Sequence, residues 1–296
     1  MAKGFFTDTT LCIGCKACEV ACKQWNQLPA DGYTLTGMSY DNTAQLGATT
    51  WRHVAFIEQF DGDGRYRYDQ LDGASGSGGA GAIAGAVRQA EAGDGATPGD
   101  APAGFLTGNR WLMMSDVCKH CEHAGCLNAC PTGAIIRNEF GDVYVQPDIC
   151  NGCGYCVPAC PFGVIAINHD DGRAWKCTLC YDRQKAGMVP ACAKACPTQS
   201  IQFGELDELR DRARDRVAQL HERGIGDAYL YGVDERTSVG ALNAFFLLVQ
   251  PPEVYNLPER PGLPQAKVLG AYAVAAATAA LLGAATIATF LRGGRR

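Results

Sequence analysis

The pattern of hydrophobic and polar positions is clearest in the C-terminal third of the chain. Apolar residues recur at helical spacing between Glu205 and Arg223, which predicts an amphipathic helix that Gly224 ends. The charged remainder of that helix is the solvated face. The residues from Ala228 to Pro264 are irregular, but the apolar run Phe245–Val249 predicts a strand that is too short to span a membrane.

The longest apolar stretch lies beyond that strand. Val268 to Leu291 contains no charged residue and is flanked by Lys267 and Arg292. Because such a helix is long enough to cross a bilayer with some tilt, we predict a single transmembrane helix, the alternative being a buried helix of a soluble domain. Small residues on it allow a second membrane helix to approach closely; they are Gly270, Ala273, Ala277, Ala280 and Ala284.

Basic residues around this segment give a prediction of sidedness. Three arginines follow the apolar stretch, whereas Arg260 and Lys267 precede it. By the positive-inside rule the C-terminus is predicted to be cytoplasmic and the rest of the chain extracytoplasmic, at the cell membrane. A complex that faces the cytoplasm stays open as the alternative. No basic and apolar leader precedes the first cysteine, so export would require a partner.

The cysteines form four compact quartets that together use all 16 cysteines of the chain. The first and third quartets have the spacing C-x2-C-x2-C-x3-C, which binds a cubane [4Fe–4S] cluster. The second and fourth lengthen one gap, which a small loop can fill. The quartets are Cys12, Cys15, Cys18, Cys22; then Cys118, Cys121, Cys126, Cys130; then Cys150, Cys153, Cys156, Cys160; and then Cys177, Cys180, Cys192, Cys196.

An internal repeat follows the last three quartets. In each, a proline comes directly after the fourth cysteine and a short apolar strand is predicted next, after Pro131, Pro161 and Pro197. Gly141–Val145 is predicted to be the return strand of a hairpin. These features are typical of the two-cluster bacterial ferredoxin module, present twice, in which the fourth cysteine of a run binds the other cluster.

The pseudo-symmetry pairs quartet two with three and quartet one with four. The predicted ligand sets are Cys12, Cys15, Cys18 with Cys196; Cys177, Cys180, Cys192 with Cys22; Cys118, Cys121, Cys126 with Cys160; and Cys150, Cys153, Cys156 with Cys130.

Two alternatives compete with iron–sulfur binding. A disulfide framework suits short secreted chains, and structural zinc needs two C-x2-C pairs with a longer spacer.

Composition restricts the classes of partner that the chain is expected to bind. The net charge of −5 disfavours nucleic acid as a partner. The predicted fold is α+β, with two ferredoxin-like two-cluster modules, long loops and the C-terminal transmembrane helix. Leu71–Gly104 is rich in glycine and alanine, so we expect a mobile surface loop, with room for a short helix at Ala84–Ala92.

The predicted domains follow from the quartets. They are residues 1–70, the first half of module A with quartet one; 71–109, the flexible insertion; 110–171, module B with quartets two and three; 172–224, the second half of module A with quartet four and the amphipathic helix; 225–266, a C-terminal extension; and 267–292, the transmembrane helix.

Several motifs resemble the iron–sulfur (beta) subunit of membrane-bound respiratory formate dehydrogenases, over nearly the whole chain. They are Cys12–Cys22 followed by Trp25-Asn26, Cys118-Lys-His-Cys121, Cys150–Cys156, Lys176–Cys180 with Asp182-Arg183, Pro190-Ala-Cys192, and Pro252–Pro258. The quartets alone are shared by the wider group of four-cluster subunits that serve molybdopterin oxidoreductases. The insertion at Leu71–Gly104 looks longer than the family's connection.

The resemblance implies a function in electron transfer. The chain would carry four [4Fe–4S] clusters and no [3Fe–4S] centre, since no cysteine is replaced. It would conduct electrons from a molybdenum- or tungsten-pterin catalytic (alpha) subunit to a haem-bearing or quinone-reactive membrane (gamma) subunit. The alternatives are the same role in a sulfur-compound reductase or hydrogenase, and an iron–sulfur sensor or assembly scaffold.

The sequence shows no catalytic constellation, so the chain is expected to be a non-catalytic subunit. His120 and His123 lie inside quartet two, where we expect them to tune a cluster rather than to bind iron. Lys16, Lys119 and Lys176 adjoin predicted ligands and are candidates to offset negative cluster charge, the alternative being ordinary surface lysines.

Overall fold

The computed structural model describes residues 2–31, 41, 43–59, 110–234 and 237–293. The predicted loop at Leu71–Gly104, with its short helix, lies outside them. The strands are β1 Lys3–Asp8, β2 Arg52–Gln59, β3 Arg110–Val117, β4 Ile135–Arg137, β5 Val143–Val145, β6 Ala166–Ile167, β7 Ala174–Trp175, β8 Ile201–Glu205, β9 Tyr229–Tyr231 and β10 Ala244–Leu248. The α-helices are α1 Ala17–Asn26, α2 Gly125–Asn128, α3 Tyr181–Lys185, α4 Ala191–Ala195, α5 Leu206–Glu222 and α6 Val268–Gly293.

A four-stranded sheet, in the order β8-β1-β10-β9, holds the two ends of the cysteine-rich region together. Strand β1 precedes quartet one, and it pairs antiparallel with β8, which follows quartet four. On its other edge β1 pairs parallel with β10, the strand predicted at Phe245–Val249. Every residue of β10 is buried, which explains its continuous apolar sequence.

The predicted amphipathic helix is present as α5. Leu206, Leu209, Ala213 and Leu220 are buried against the sheet. The helix ends as expected, because Gly224 adopts a φ of +85° and Ile225 N–H donates to the Leu220 carbonyl at 2.9 Å.

The same backbone turns recur in the quartets. The residue before the second cysteine has a positive φ in all four, at Gly14, His120, Gly152 and Leu179. In quartets two, three and four, the third residue after the fourth cysteine also has a positive φ, at Gly133, Gly163 and Gln199, and its N–H donates back to that cysteine's carbonyl at 3.3–3.4 Å. The predicted strands after the prolines are β4, β6 and β8. The repeat in the sequence therefore corresponds to a repeated local structure.

Three two-stranded sheets complete the cysteine-rich region. Strands β4 and β5 pair as the predicted hairpin, and β6 pairs with β7. Strands β2 and β3 pair over eight residues each, with Arg52 opposite Val117 and Gln59 opposite Arg110, on either side of residues 60–109. Val54, Ile57, Met114 and Val117 of this pair are buried.

The terminal apolar segment is the helix α6. Within the described part of the chain, it is the one helix long and apolar enough to cross a membrane, over Tyr272–Phe290, with a mean hydropathy of 1.8. None of that span is buried against the rest of the protein. At 1.5 Å per residue its 19 residues extend about 28 Å, close to the thickness of a bilayer core.

Candidate iron–sulfur centres

Two cavities inside the protein are lined by cysteines from different quartets. One is lined by Cys118, Cys121 and Cys126 of quartet two together with Cys160 of quartet three. Apolar side chains, including Val143, Phe162 and Ile165, enclose it. In this cavity three cysteines of one run meet the fourth cysteine of its neighbour.

The second cavity repeats this arrangement. Cys12, Cys15 and Cys18 of quartet one line it together with Cys196 of quartet four. The pairing of β1 with β8 positions these two segments, because each strand leads directly into or out of its quartet. Helix α1 begins next to Cys15 and carries Cys18 inward, where it is buried.

The remaining cysteines also lie near partners from other quartets. Cys192 and Cys180 contribute, after burial, to raising the pKa of the Cys22 thiol, and α1 packs against α4. Cys150, Cys153 and Cys130 contribute, after burial, to raising the pKa of the Cys156 thiol. Among the residues the structure describes, no three His, Cys, Asp or Glu side chains converge on a single-ion site.

Burial strongly affects the cysteine thiols. Desolvation raises the pKa of Cys18 to about 12, of Cys126 to about 12 and of Cys180 to about 11. The protein alone therefore keeps these thiols neutral near pH 7. Coordination to iron would supply the positive charge that favours their thiolate form, so this donor set fits a metal cluster.

Arg52 is a fully buried cation that contacts a cysteine sulfur. Its Nη2 donates to Cys192 Sγ at 3.2 Å, and its guanidinium carbon lies 4.7 Å from the centre of the Phe5 ring. Among the described residues, no carboxylate forms an ion pair with it. A buried charge without a counter-ion is strongly unfavourable, so negative charge is required on the sulfur side.

Lys176 is a second buried cation of this kind. Its Nζ donates to Cys118 Sγ at 3.5 Å, to the Val143 carbonyl at 2.5 Å and to the Cys177 carbonyl at 3.0 Å. It therefore neither lies at the surface nor pairs with a carboxylate of the described residues. Thiolate ligands of an iron–sulfur cluster would supply the counter-charge for both Arg52 and Lys176.

The other two candidate lysines behave differently. Lys119 is buried, but its ammonium pairs with Asp116 and the Val117 carbonyl. Lys16 is partly exposed and pairs with Glu19 at 3.4 Å. Lys176 is therefore the lysine whose position fits the role of offsetting cluster charge, because its ammonium donates directly to a cysteine sulfur.

His120 lines the cavity of Cys118, Cys121, Cys126 and Cys160. Its Nδ1 accepts the Val143 N–H at 3.2 Å, so the ring proton belongs on Nε2, which has no partner among the described residues. Burial lowers the pKa of this imidazole well below its usual value and keeps it neutral. His123 is held through its backbone, where its N–H donates to the Val239 carbonyl at 2.8 Å.

Comparison with known families defines the class of protein. A model described as a 4Fe-4S dicluster domain matches residues 109–206, and a 4Fe-4S binding domain matches residues 9–25. Together these matches cover all sixteen cysteines. The chain is thus an iron–sulfur protein with ferredoxin-like [4Fe–4S] domains.

Individual relatives narrow the class further. The chain is 36% identical over 258 residues to the formate dehydrogenase iron-sulfur subunit of Haemophilus influenzae, covering 86% of this chain and 68% of the relative. The nitrate-inducible formate dehydrogenase iron-sulfur subunit of Escherichia coli is also 36% identical, at 86% and 71% coverage. The B subunit of the anaerobic dimethyl sulfoxide reductase of E. coli is 32% identical, at 73% and 79%. The chain belongs to the family of formate dehydrogenase iron–sulfur subunits.

Proposed function

We propose that this chain is the electron-transfer subunit of a formate dehydrogenase and holds four [4Fe–4S] clusters, one for each of its four quartets. The observation that carries this proposal is the pair of cavities in which three cysteines of one quartet meet the fourth cysteine of another. When bound, each cluster supplies a one-electron redox couple. The ligands are proposed to be the four exchanged sets predicted from the sequence, arranged as two ferredoxin-like modules.

The cysteine neighbourhoods support a linear order for these sets. Cys156 contributes, after burial, to raising the pKa of Cys126, which supports neighbouring positions for the set of Cys150 and that of Cys118. Cys118 contributes, after burial, to raising the pKa of Cys177, which supports neighbouring positions for the set of Cys118 and that of Cys177.

Cys192 contributes, after burial, to raising the pKa of Cys18, which supports neighbouring positions for the set of Cys177 and that of Cys12. The proposed path thus begins at the set of Cys150, passes those of Cys118 and Cys177, and ends at that of Cys12.

The two ends of this path differ from its middle in exposure. Cys15 and Cys153 of the end sets are exposed, whereas Cys118, Cys177 and Cys180 of the middle sets are buried. Large apolar side chains are also exposed beside the end cysteines: Ile13 and Val20 at one end, Ile149 and Tyr155 at the other. The buried middle excludes water, and the exposed ends suit contact with redox partners. We propose that one end receives electrons from a molybdenum- or tungsten-pterin catalytic subunit.

The helix α6 supports a membrane partner at the acceptor side. Its span Tyr272–Phe290 carries no burial against this chain and exposes Leu281, Leu282 and Phe290. Apolar area of this size is stable in lipid or against another membrane helix. We propose that it crosses the cell membrane once and docks a quinone-reactive or haem-bearing subunit, with the cluster region on the extracytoplasmic side.

The experiment is to purify the intact complex without oxygen, add formate, and follow the clusters by electron paramagnetic resonance (EPR). Formate is expected to reduce the clusters, and a quinone to reoxidise them.

The similarity to the B subunit of dimethyl sulfoxide reductase gives a second candidate role, in a sulfur-compound reductase. Clusters that formate leaves oxidised, but that dimethyl sulfoxide reoxidises after chemical reduction, would favour this second role and contradict the first. Reversible reduction by formate would exclude a sensor or scaffold.

A further inference from the structure

We propose that Arg52 and Ser115 form a polar bridge between two neighbouring clusters and that Arg52 raises the reduction potentials of both. The clusters are the one proposed for Cys12, Cys15, Cys18 and Cys196 and the one proposed for Cys177, Cys180, Cys192 and Cys22. This inference rests on the proposed function for the presence of the clusters, but not for the identity of the electron donor.

The contacts form a continuous path from one ligand set to the other. Arg52 Nη2 donates to Cys192 Sγ at 3.2 Å. Its Nη1 donates to the Ser115 carbonyl at 3.3 Å and approaches Ser115 Oγ at 3.5 Å. Ser115 Oγ lies 3.2 Å from Cys18 Sγ. The Arg52 guanidinium thus contacts the ligand set of Cys192 directly and that of Cys18 through the Ser115 hydroxyl.

The fold fixes this bridge in place. Arg52 begins β2 and Ser115 lies on β3, where Ser115 pairs with Val54. Both side chains are about 1% exposed, so water does not compete for their donors. Phe5 of the central sheet covers the guanidinium face. Neighbouring strands therefore hold the donors still while the charge on the sulfur side changes.

The charge of Arg52 determines the direction of the effect. A guanidinium is never deprotonated in a protein, so the positive charge is constant. Reduction adds one negative charge to a cluster, and a nearby cation in a low-dielectric interior stabilises that added charge. Arg52 should raise both potentials, and more strongly that of the Cys192 cluster, which it contacts directly.

The test is a redox titration of the purified complex, followed by EPR. Cys180→Ser and Cys15→Ser variants identify the signals of the two clusters. Arg52→Gln should lower both midpoint potentials. We expect at least a tenfold change in the oxidised-to-reduced ratio of the Cys192 cluster, equivalent to about 59 mV for one electron. Arg52→Lys should restore part of this shift, because it keeps the charge but loses the fork of donors.

Two further variants separate this mechanism from a structural defect. Ser115→Ala should lower the potential of the Cys18 cluster and leave that of the Cys192 cluster nearly unchanged. Arg214→Gln is the control, because it removes a solvent-exposed cation of α5 that pairs with Asp211 at 2.7 Å. It should change neither potential.

Unchanged potentials in Arg52→Gln with all clusters present would overturn the proposal. If Arg52→Gln fails to assemble, Ser115→Ala decides, and an unchanged Cys18 cluster potential would overturn it as well. Absence of these clusters from the unaltered complex would instead contradict the proposed function.

Discussion

Replacing Gly152 by alanine should remove one cluster, whereas the same change at Gly154 should not. The two glycines flank Cys153 and both have left-handed backbones, with φ of +73° and +77°. An added Cβ at Gly152 would lie 2.0 Å from the Gly172 carbonyl oxygen. At Gly154 it would meet nothing within 4 Å. Gly154→Ala is thus a matched control with the same backbone strain and no collision.

Backbone strain and steric collision determine how much each alanine variant loses in stability. A left-handed conformation costs a residue with a side chain about 1–2 kcal/mol, which applies to both variants. Overpacking adds roughly 1–3 kcal/mol at Gly152 alone, because the obstacle is backbone rather than a flexible side chain. Gly172 belongs to the turn of the β6–β7 hairpin, whose Ala174 N–H donates to Cys150 Sγ at 3.4 Å. The collision therefore displaces a predicted ligand.

The assay measures iron per chain, the EPR signals and the temperature at which the visible absorbance of the clusters is lost. Gly154→Ala should keep all its iron and lose absorbance at a modestly lower temperature. Gly152→Ala should lose about a quarter of its iron, four of about sixteen atoms, and the signal of the cluster proposed for Cys150, Cys153 and Cys156. Equal iron content and equal stability in the two variants would refute the steric reasoning.

Three further predictions concern other parts of the molecule. Cys130→Ser should alter the EPR signal of the cluster proposed for Cys150, Cys153 and Cys156. Cys160→Ser should alter the EPR signal of the cluster proposed for Cys118, Cys121 and Cys126. The opposite assignment would contradict the exchange of ligands. Removing Lys267–Arg296 should release the complex from membranes and lower quinone reduction, while formate oxidation with a soluble acceptor survives; normal quinone reduction would exclude the helix as the docking element. Burial raises the pKa of Asp142 from 3.8 to about 6, so its favourable contribution, present below about pH 4, is lost as the pH rises through about 6. Asp142→Asn should therefore increase the free energy of unfolding more at about pH 8 than at about pH 5, by roughly 1.4 kcal/mol, as followed by thermal unfolding at the two pH values, and a pH-independent effect would contradict this.

Features with a local cause could be predicted from the sequence. The spacing of the cysteines, the prolines after them and the apolar stripe of α5 are each set by residues close together in the chain. The same is true of the terminal helix, whose 24 uncharged residues are contiguous. The structure confirms the helices α5 and α6 and the strands β5 and β10. Their first and last residues differ from the predicted ones by at most two positions.

Features with a distant cause could not be predicted. Strand β2 is buried on both faces over its first four residues, so it lacks the alternation that marks a half-buried strand. Arg52 lies thirty residues after Cys22 and reaches Cys192 only through the pairing of β2 with β3. Nothing near Arg52 in the sequence indicates a cysteine contact.

The lysines show the same limit. Lys16, Lys119 and Lys176 are each adjacent to a cysteine in the sequence. Their roles differ because one is partly exposed, one has a carboxylate partner and one is buried against sulfur. Burial and partners depend on the assembled fold rather than on sequence adjacency.

The proposed electron path of this subunit consists of four [4Fe–4S] clusters. The most direct test is to measure iron, acid-labile sulfide and zinc in the anaerobically purified protein. Four cubane clusters predict about 16 iron and about 16 sulfide per chain, with no stoichiometric zinc. Stoichiometric zinc with little sulfide, or iron and sulfide near 12 per chain, would contradict the four-cluster account.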